Sequence, residues 1–133
     1  MHDLAKYLII GCMLSLGCKS PEKKYLPAEN GLDAGREFID ACNKGDFSKA
    51  AFYMIPDEKN LKLLNEEEAA YRDNDKEGRQ QLRTASINIK SVTEPTDSTV
   101  ILQYSNSTDT IGKTLYMIRR DQHWLVNYQQ SIK

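Results

Sequence analysis

The stretch TVILQYSNSTDTIGKTLYMIRRDQHWLVNY, residues 99–128, repeats with a period of two. Val100, Leu102 and Tyr104 alternate with Ile101 and Gln103, the pattern of a strand that buries one face. Asn106-Ser107-Thr108-Asp109 makes a turn, and Lys113 to Arg119 gives a further strand. Asp121-Gln122 is a tight turn into a last strand read over His123–Gln130, with Trp124, Val126 and Tyr128 on one side. Upstream, Ala85, Ile87 and Ile89 alternate with Ser86, Asn88 and Lys90, and Glu94–Ser98 supplies the turn that follows. Strands joined this closely form an antiparallel meander, because parallel neighbours need a crossover of about a dozen residues.

Ahead of the meander the period is helical. Over 28–43, Ala34 or Gly35, Phe38, Ala41 and Cys42 recur at three- and four-residue spacing. Gly31 and Gly35 sit four apart and allow close approach of another element, a packing feature. Lys44-Gly45 stops this helix, and Asp46 caps a short second one, Phe47 to Met54, with Phe47, Ala50, Ala51 and Met54 as its apolar stripe. Pro56-Asp57 starts a third, read over 57–77, with Leu61, Leu64, Glu68 and Tyr71 on one side. Eight acids face four bases in that stretch, and they lack the alternate-position spacing and Gly turn of a cation-binding loop. It reads as a solvated helix face, and no metal site is expected. Helices followed by a meander define the α+β class: three N-terminal helices packed on a curved four-stranded antiparallel sheet.

The chain has 133 residues and a formal net charge of −1, which removes the usual electrostatic footprint of nucleic-acid binding. Tyr7 to Leu16 is an apolar run of ten residues, about half of what a membrane-spanning helix needs. Lys19, Glu22, Lys23 and Lys24 follow at once, so residues 1–17 read as a signal peptide. Leu14-Ser15-Leu16-Gly17-Cys18 resembles the lipobox of bacterial lipoproteins, with Ser15 where the strictest form has Leu. That resemblance implies a lipidated Cys18, a membrane partner reached through the lipid, and a location in the bacterial cell envelope. Residues 18–27 then form the lipidated Cys and a solvated tether, and 28–133 the domain. Of three Cys, Cys12 leaves with the signal and Cys18 carries lipid. Cys42, on an apolar helical stripe, is left as a buried structural thiol.

Two pieces of the domain carry a second resemblance. They are Phe38-Ile39-Asp40-Ala41 followed by Lys44-Gly45-Asp46-Phe47-Ser48-Lys49-Ala50, and the closing Asp121-Gln122-His123-Trp124-Leu125-Val126. Together with three helices and a four-strand meander, they resemble the nuclear transport factor two-like superfamily of cone-shaped α+β domains, and within it small bacterial lipoproteins of unknown function. Leu125 stands where that superfamily usually has a basic residue. The resemblance implies a cone that can hold a ligand, and a sheet face that pairs with a second copy. Its enzymes, ketosteroid isomerase and the polyketide cyclases among them, use an Asp or His base in the cone with Tyr or protonated Asp as oxyanion donor.

Catalytic machinery of that kind is not evident. The domain's single His, His123, sits beside a tight turn and reads as a surface residue. Glu94, Asp97, Asp109 and Asp121 all fall in or beside turns, and none sits mid-strand facing a cone with apolar neighbours. Glu68 shares a helix face with Leu64 and Tyr71 and is the carboxylate most able to point inward. Phe38, Tyr53, Tyr71, Tyr104, Trp124 and Tyr128 are the expected pocket lining. On the 113–119 strand both faces are apolar, Leu115 and Met117 on one and Tyr116 and Ile118 on the other, which suits a homodimer or an envelope protein against the sheet. The expectation is a lipid-anchored envelope domain, without cofactor or catalytic residues, that binds a small apolar ligand or a protein. Its alternative is an isomerase- or cyclase-type enzyme with a Glu/Tyr site in the cone.

Overall fold

The computed structural model describes residues 24–131. The stretch read as a signal peptide, Cys18 and the part read as a tether up to residue 23 lie outside the described residues. Each of the first four helices begins at a side chain that caps it. The Asn30 carboxamide accepts from the Asp33 N–H at 2.8 Å and opens α1 (Gly31–Lys44). Asp46 opens α2 (Phe47–Phe52), Asp57 opens α3 (Glu58–Asp73) and Asp75 opens α4 (Lys76–Arg83), each accepting from the N–H three residues on. Such a cap contributes about 1 kcal/mol. Gly45 ends α1 in the left-handed region at φ 74°, and its N–H returns to the carbonyls of Ala41 and Cys42.

The sheet is a meander in the order β1 (Ile87–Thr96), β2 (Thr99–Asn106), β3 (Asp109–Arg120) and β4 (His123–Val126), antiparallel throughout. All three hairpins turn on two residues: Asp97-Ser98, Ser107-Thr108 and Asp121-Gln122. At the last turn both central residues have positive φ, 49° and 67°, as a type I′ hairpin requires. The register shifts between Ile89 and Ser91, Thr93 and Thr96, and Tyr104 and Asn106, and irregularities of this kind bend a sheet. A short helix α5 (Tyr128–Ser131) follows β4. The Tyr53–Ile55 segment continues the sheet past β4: the Val126 N–H donates to the Tyr53 carbonyl at 2.7 Å, and the Ile55 N–H to the Val126 carbonyl at 2.9 Å.

The core lies between α1 and the concave sheet face. Ala34, Phe38, Ile39, Ala41, Ala50, Met54 and Leu64 from the helical side meet Val100, Leu102, Leu115, Met117 and Val126 from the strands. Gly31 and Gly35 are the points of closest approach. A Cβ at Gly31 would lie 2.5 Å from Val100 Cγ2, and one at Gly35 3.1 Å from Met117 Sδ. The four-residue glycine spacing therefore seats α1 on β2 and β3.

The class and the strand order are those expected, but the helices number five rather than three. The helix read over 57–77 stops at Asp73, because Asn74 is extended (φ −67°, ψ 148°) and Asp75 caps a new helix. Local capping chemistry there overrides the charge run that suggested continuity. The last strand was read to Gln130 and ends at Val126. There the Asn127 N–H is taken by the Tyr116 carbonyl, and the chain coils into α5.

Candidate functional site

Between α1, α3, α5 and the β2–β3 half of the sheet lies an open cavity of about 540 Å³. Phe38, Cys42 and Asn43 reach it from α1, Glu67 from α3, Tyr128 from α5, and Tyr104, Asn106 and Lys113 from the strands. The register explains the last group, since Tyr104 and Lys113 are direct cross-strand partners. Phe38 and Tyr128 pack with ring centroids 5.3 Å apart. Asn43 and Asn106 are both more than nine-tenths buried, and the Asn43 carboxamide donates to Asn106 Oδ1 at 3.3 Å. The Tyr128 hydroxyl donates to Glu67 Oε2 at 3.3 Å.

Three ionisable groups here are held in the neutral form. Burial pushes the Cys42 thiol well above its ordinary value, and the neighbouring Glu67 adds to the effect. Burial does the same to the Tyr104 and Tyr128 phenols, again with Glu67 contributing. At neutral pH these groups are hydrogen-bond donors and not bases or nucleophiles. Among the described residues no group of three or more His, Cys, Asp or Glu is placed to hold a metal ion.

A second, more apolar groove of about 770 Å³ lies outside the cone. It runs along Tyr25, Phe52, Tyr53 and the β3–β4 hairpin. The residues expected to line one pocket are thus divided. Phe38, Tyr104 and Tyr128 meet in the cone cavity, while Tyr53 and Trp124 line the outer groove. Tyr53 donates to the Leu26 carbonyl at 2.6 Å and so ties the start of the domain to α2. Tyr71 lines neither. Its ring lies edge-on to Phe47 with centroids 5.8 Å apart, and its hydroxyl accepts from Arg83 Nε at 3.0 Å.

The carboxylate at the cavity is Glu67, whereas the helix face suggested Glu68. Glu68 pairs instead with Arg72 along α3. Glu67 was legible in principle, being three residues after buried Leu64 and four before Tyr71. Lys113, Asn43 and Asn106 were not, because their place depends on strand register and bulges. His123 is exposed at the end of the β3–β4 hairpin, and Arg119 lies with its guanidinium carbon 6.0 Å from the centre of the Trp124 ring.

Comparison with solved structures returns an NTF-2 like protein of unknown function from Shewanella oneidensis MR-1. The chain is similar to that protein. The two are 18% identical with a TM-score of 0.47, over 72% of this chain and 90% of the other. No protein-family model matches the chain, and no curated protein does. The segments that suggested the superfamily fall at the turn from α1 to α2 and at the β3–β4 hairpin. In the first, Gly45 closes one helix and Asp46 opens the next.

Proposed function

We propose that the chain is a lipid-anchored cell-envelope protein whose cone cavity binds a small ligand without transforming it. The observation that carries the reading is the lining of the cavity, where the Cys42 thiol and the Tyr104 and Tyr128 phenols face the paired Asn43 and Asn106 amides. Cys42, Tyr104 and Tyr128 are all pushed toward the neutral form and act as donors, while Glu67, the one carboxylate in the lining, is exposed to solvent. The phenols and the paired Asn43 and Asn106 amides share the cavity with the apolar side chains of Phe38, Ile39 and Leu115. That mixture suits a ligand with an apolar body and a carbonyl or hydroxyl acceptor, more polar than a purely apolar guest. Lipid anchoring rests on the apolar run before Cys18 and the lipobox-like Leu14–Cys18.

Native mass spectrometry of the protein released from its membrane tests the binding. The expected result is a small molecule bound one to one, with affinity reduced about two- to tenfold by Tyr104→Phe, the loss of one hydrogen bond. A bare polypeptide mass, with no small molecule recovered from an envelope extract, would sink the reading. Incorporation of labelled palmitate, lost in Cys18→Ala, tests the anchor separately.

One contact favours a second reading. The Glu67 carboxylate accepts from the Tyr128 hydroxyl at the cavity, a Glu/Tyr pair of the kind an isomerase or cyclase would use. If the cavity is catalytic, Glu67→Gln leaves ligand binding intact and abolishes turnover of the recovered molecule. A molecule recovered chemically unchanged after prolonged incubation contradicts the enzyme.

A further inference from the structure

The outer groove is placed where the chain enters the domain. Tyr25 forms part of its wall, and next to it Leu26 is 82% exposed. Across the groove Phe52 is 42% exposed, its ring against both Tyr25 and Tyr53, with centroids 5.5 Å and 4.9 Å away. Trp124 closes the far side. Tyr and Trp carry an apolar body with a polar tip and favour the boundary between hydrocarbon and water. The charged side chains lining the groove are Arg120, Asp57 and Asp121; exposed Lys24 precedes Tyr25 in the chain, and Arg119 lies by the Trp124 ring.

We propose that this face docks onto the surface of the membrane to which the chain is tethered. Leu26 and Phe52 enter the boundary between acyl chains and headgroups, and Arg120 and Lys24 meet lipid phosphates. The inference rests on the lipid-anchor reading for bringing the face to the bilayer. Chain length selects a lipid surface as the occupant. Cys18 and Tyr25 are seven residues apart and span at most about 25 Å. An anchor at Cys18 therefore holds Tyr25, and with it one wall of the groove, within that distance of the bilayer. Exposed Leu26 and Phe52 within that reach, beside the rings of Tyr25, Tyr53 and Trp124, match the boundary layer of a bilayer in chemistry as well as in position.

Trp124 is the chain's one tryptophan and reports on this groove directly. The chain from residue 18 to 133, which contains every described residue, is coupled through Cys18 to a maleimide-bearing lipid. The vesicles are phosphatidylethanolamine with phosphatidylglycerol. Cys42 is replaced by Ala in all samples, so that Cys18 is the one thiol available for coupling. Chemical attachment also makes the outcome independent of natural lipidation, which palmitate labelling tests on its own. On vesicles of lipid brominated near the headgroup, Trp124 emission is expected to fall relative to unbrominated vesicles. Leu26→Ser with Phe52→Ser restores the emission while the melting temperature holds. Leu26→Ser alone, at a position almost wholly in water, gives a partial effect should the double variant fold poorly. Equal emission on both vesicle types would overturn the proposal, as would undiminished quenching in a folded double variant.

Discussion

Gly45 shows how much a single backbone position carries. Its φ of 74° lies where L side chains are strained, and a Cβ there would sit 2.6 Å from the Tyr71 ring. Gly45→Ala is expected to destabilise by about 1–3 kcal/mol through the combined dihedral strain and clash, read as a lower denaturant midpoint at unchanged slope. Asn60 is the corresponding side-chain position. It is fully buried, and its carboxamide oxygen accepts from the Gln129 N–H at 2.6 Å, fixing α5 to α3. Its amide nitrogen has no partner among the described residues. Asn60→Ala leaves the Gln129 donor unmatched at a cost of roughly 1–3 kcal/mol. Because α5 carries Tyr128, this variant is also expected to loosen the cone cavity, detectable as faster amide exchange at Tyr128 and Gln129.

Elements were legible where their signals are local, and illegible where a neighbour decides. The β3–β4 hairpin belongs to the first kind: Asp121-Gln122 between alternating strands gives the turn as found, with both residues at positive φ. Gln122 bears a side chain in a conformation that costs L residues about 1–2 kcal/mol. Gln122→Gly should therefore raise the melting temperature, the gain limited by glycine's greater freedom in the unfolded chain; a lower melting temperature would show that the Gln side chain packs usefully. Meander order and the seating of α1 through Gly31 and Gly35 are legible for the same reason. The break at Asn74-Asp75 is of the second kind. A capping Asp inside a charged helical run looks like one more charge until the extended Asn74 backbone is seen. The end of β4 at Val126 likewise depends on Tyr116 and Asn60, distant in sequence, taking the next N–H groups. The same limit divided the expected pocket. Aromatic residues could be counted, but register and helix packing send Tyr104 and Tyr128 to one cavity and Tyr53 and Trp124 to another.

At the scale of the whole molecule the cone cavity couples stability to pH. Cys42, Tyr104 and Tyr128 hold their protons more tightly folded than unfolded. Their contribution is therefore complete below the ordinary values, 9.0 for the thiol and 10.0 for the phenols, and is lost as pH rises beyond them. Melting temperature is expected to begin falling near the thiol's ordinary value, and in Cys42→Ala only near that of the phenols; an unchanged onset would remove Cys42 from the effect. The same donor-rich lining of thiol, phenols and paired amides underlies the proposal that the cavity binds and does not transform. Amide chemical-shift mapping with the molecule recovered from the released protein tests that claim most directly. Perturbations are expected to converge on Phe38, Cys42, Tyr104, Lys113 and Tyr128. Perturbations gathered instead around Phe52 and Trp124, or none at all, would contradict it.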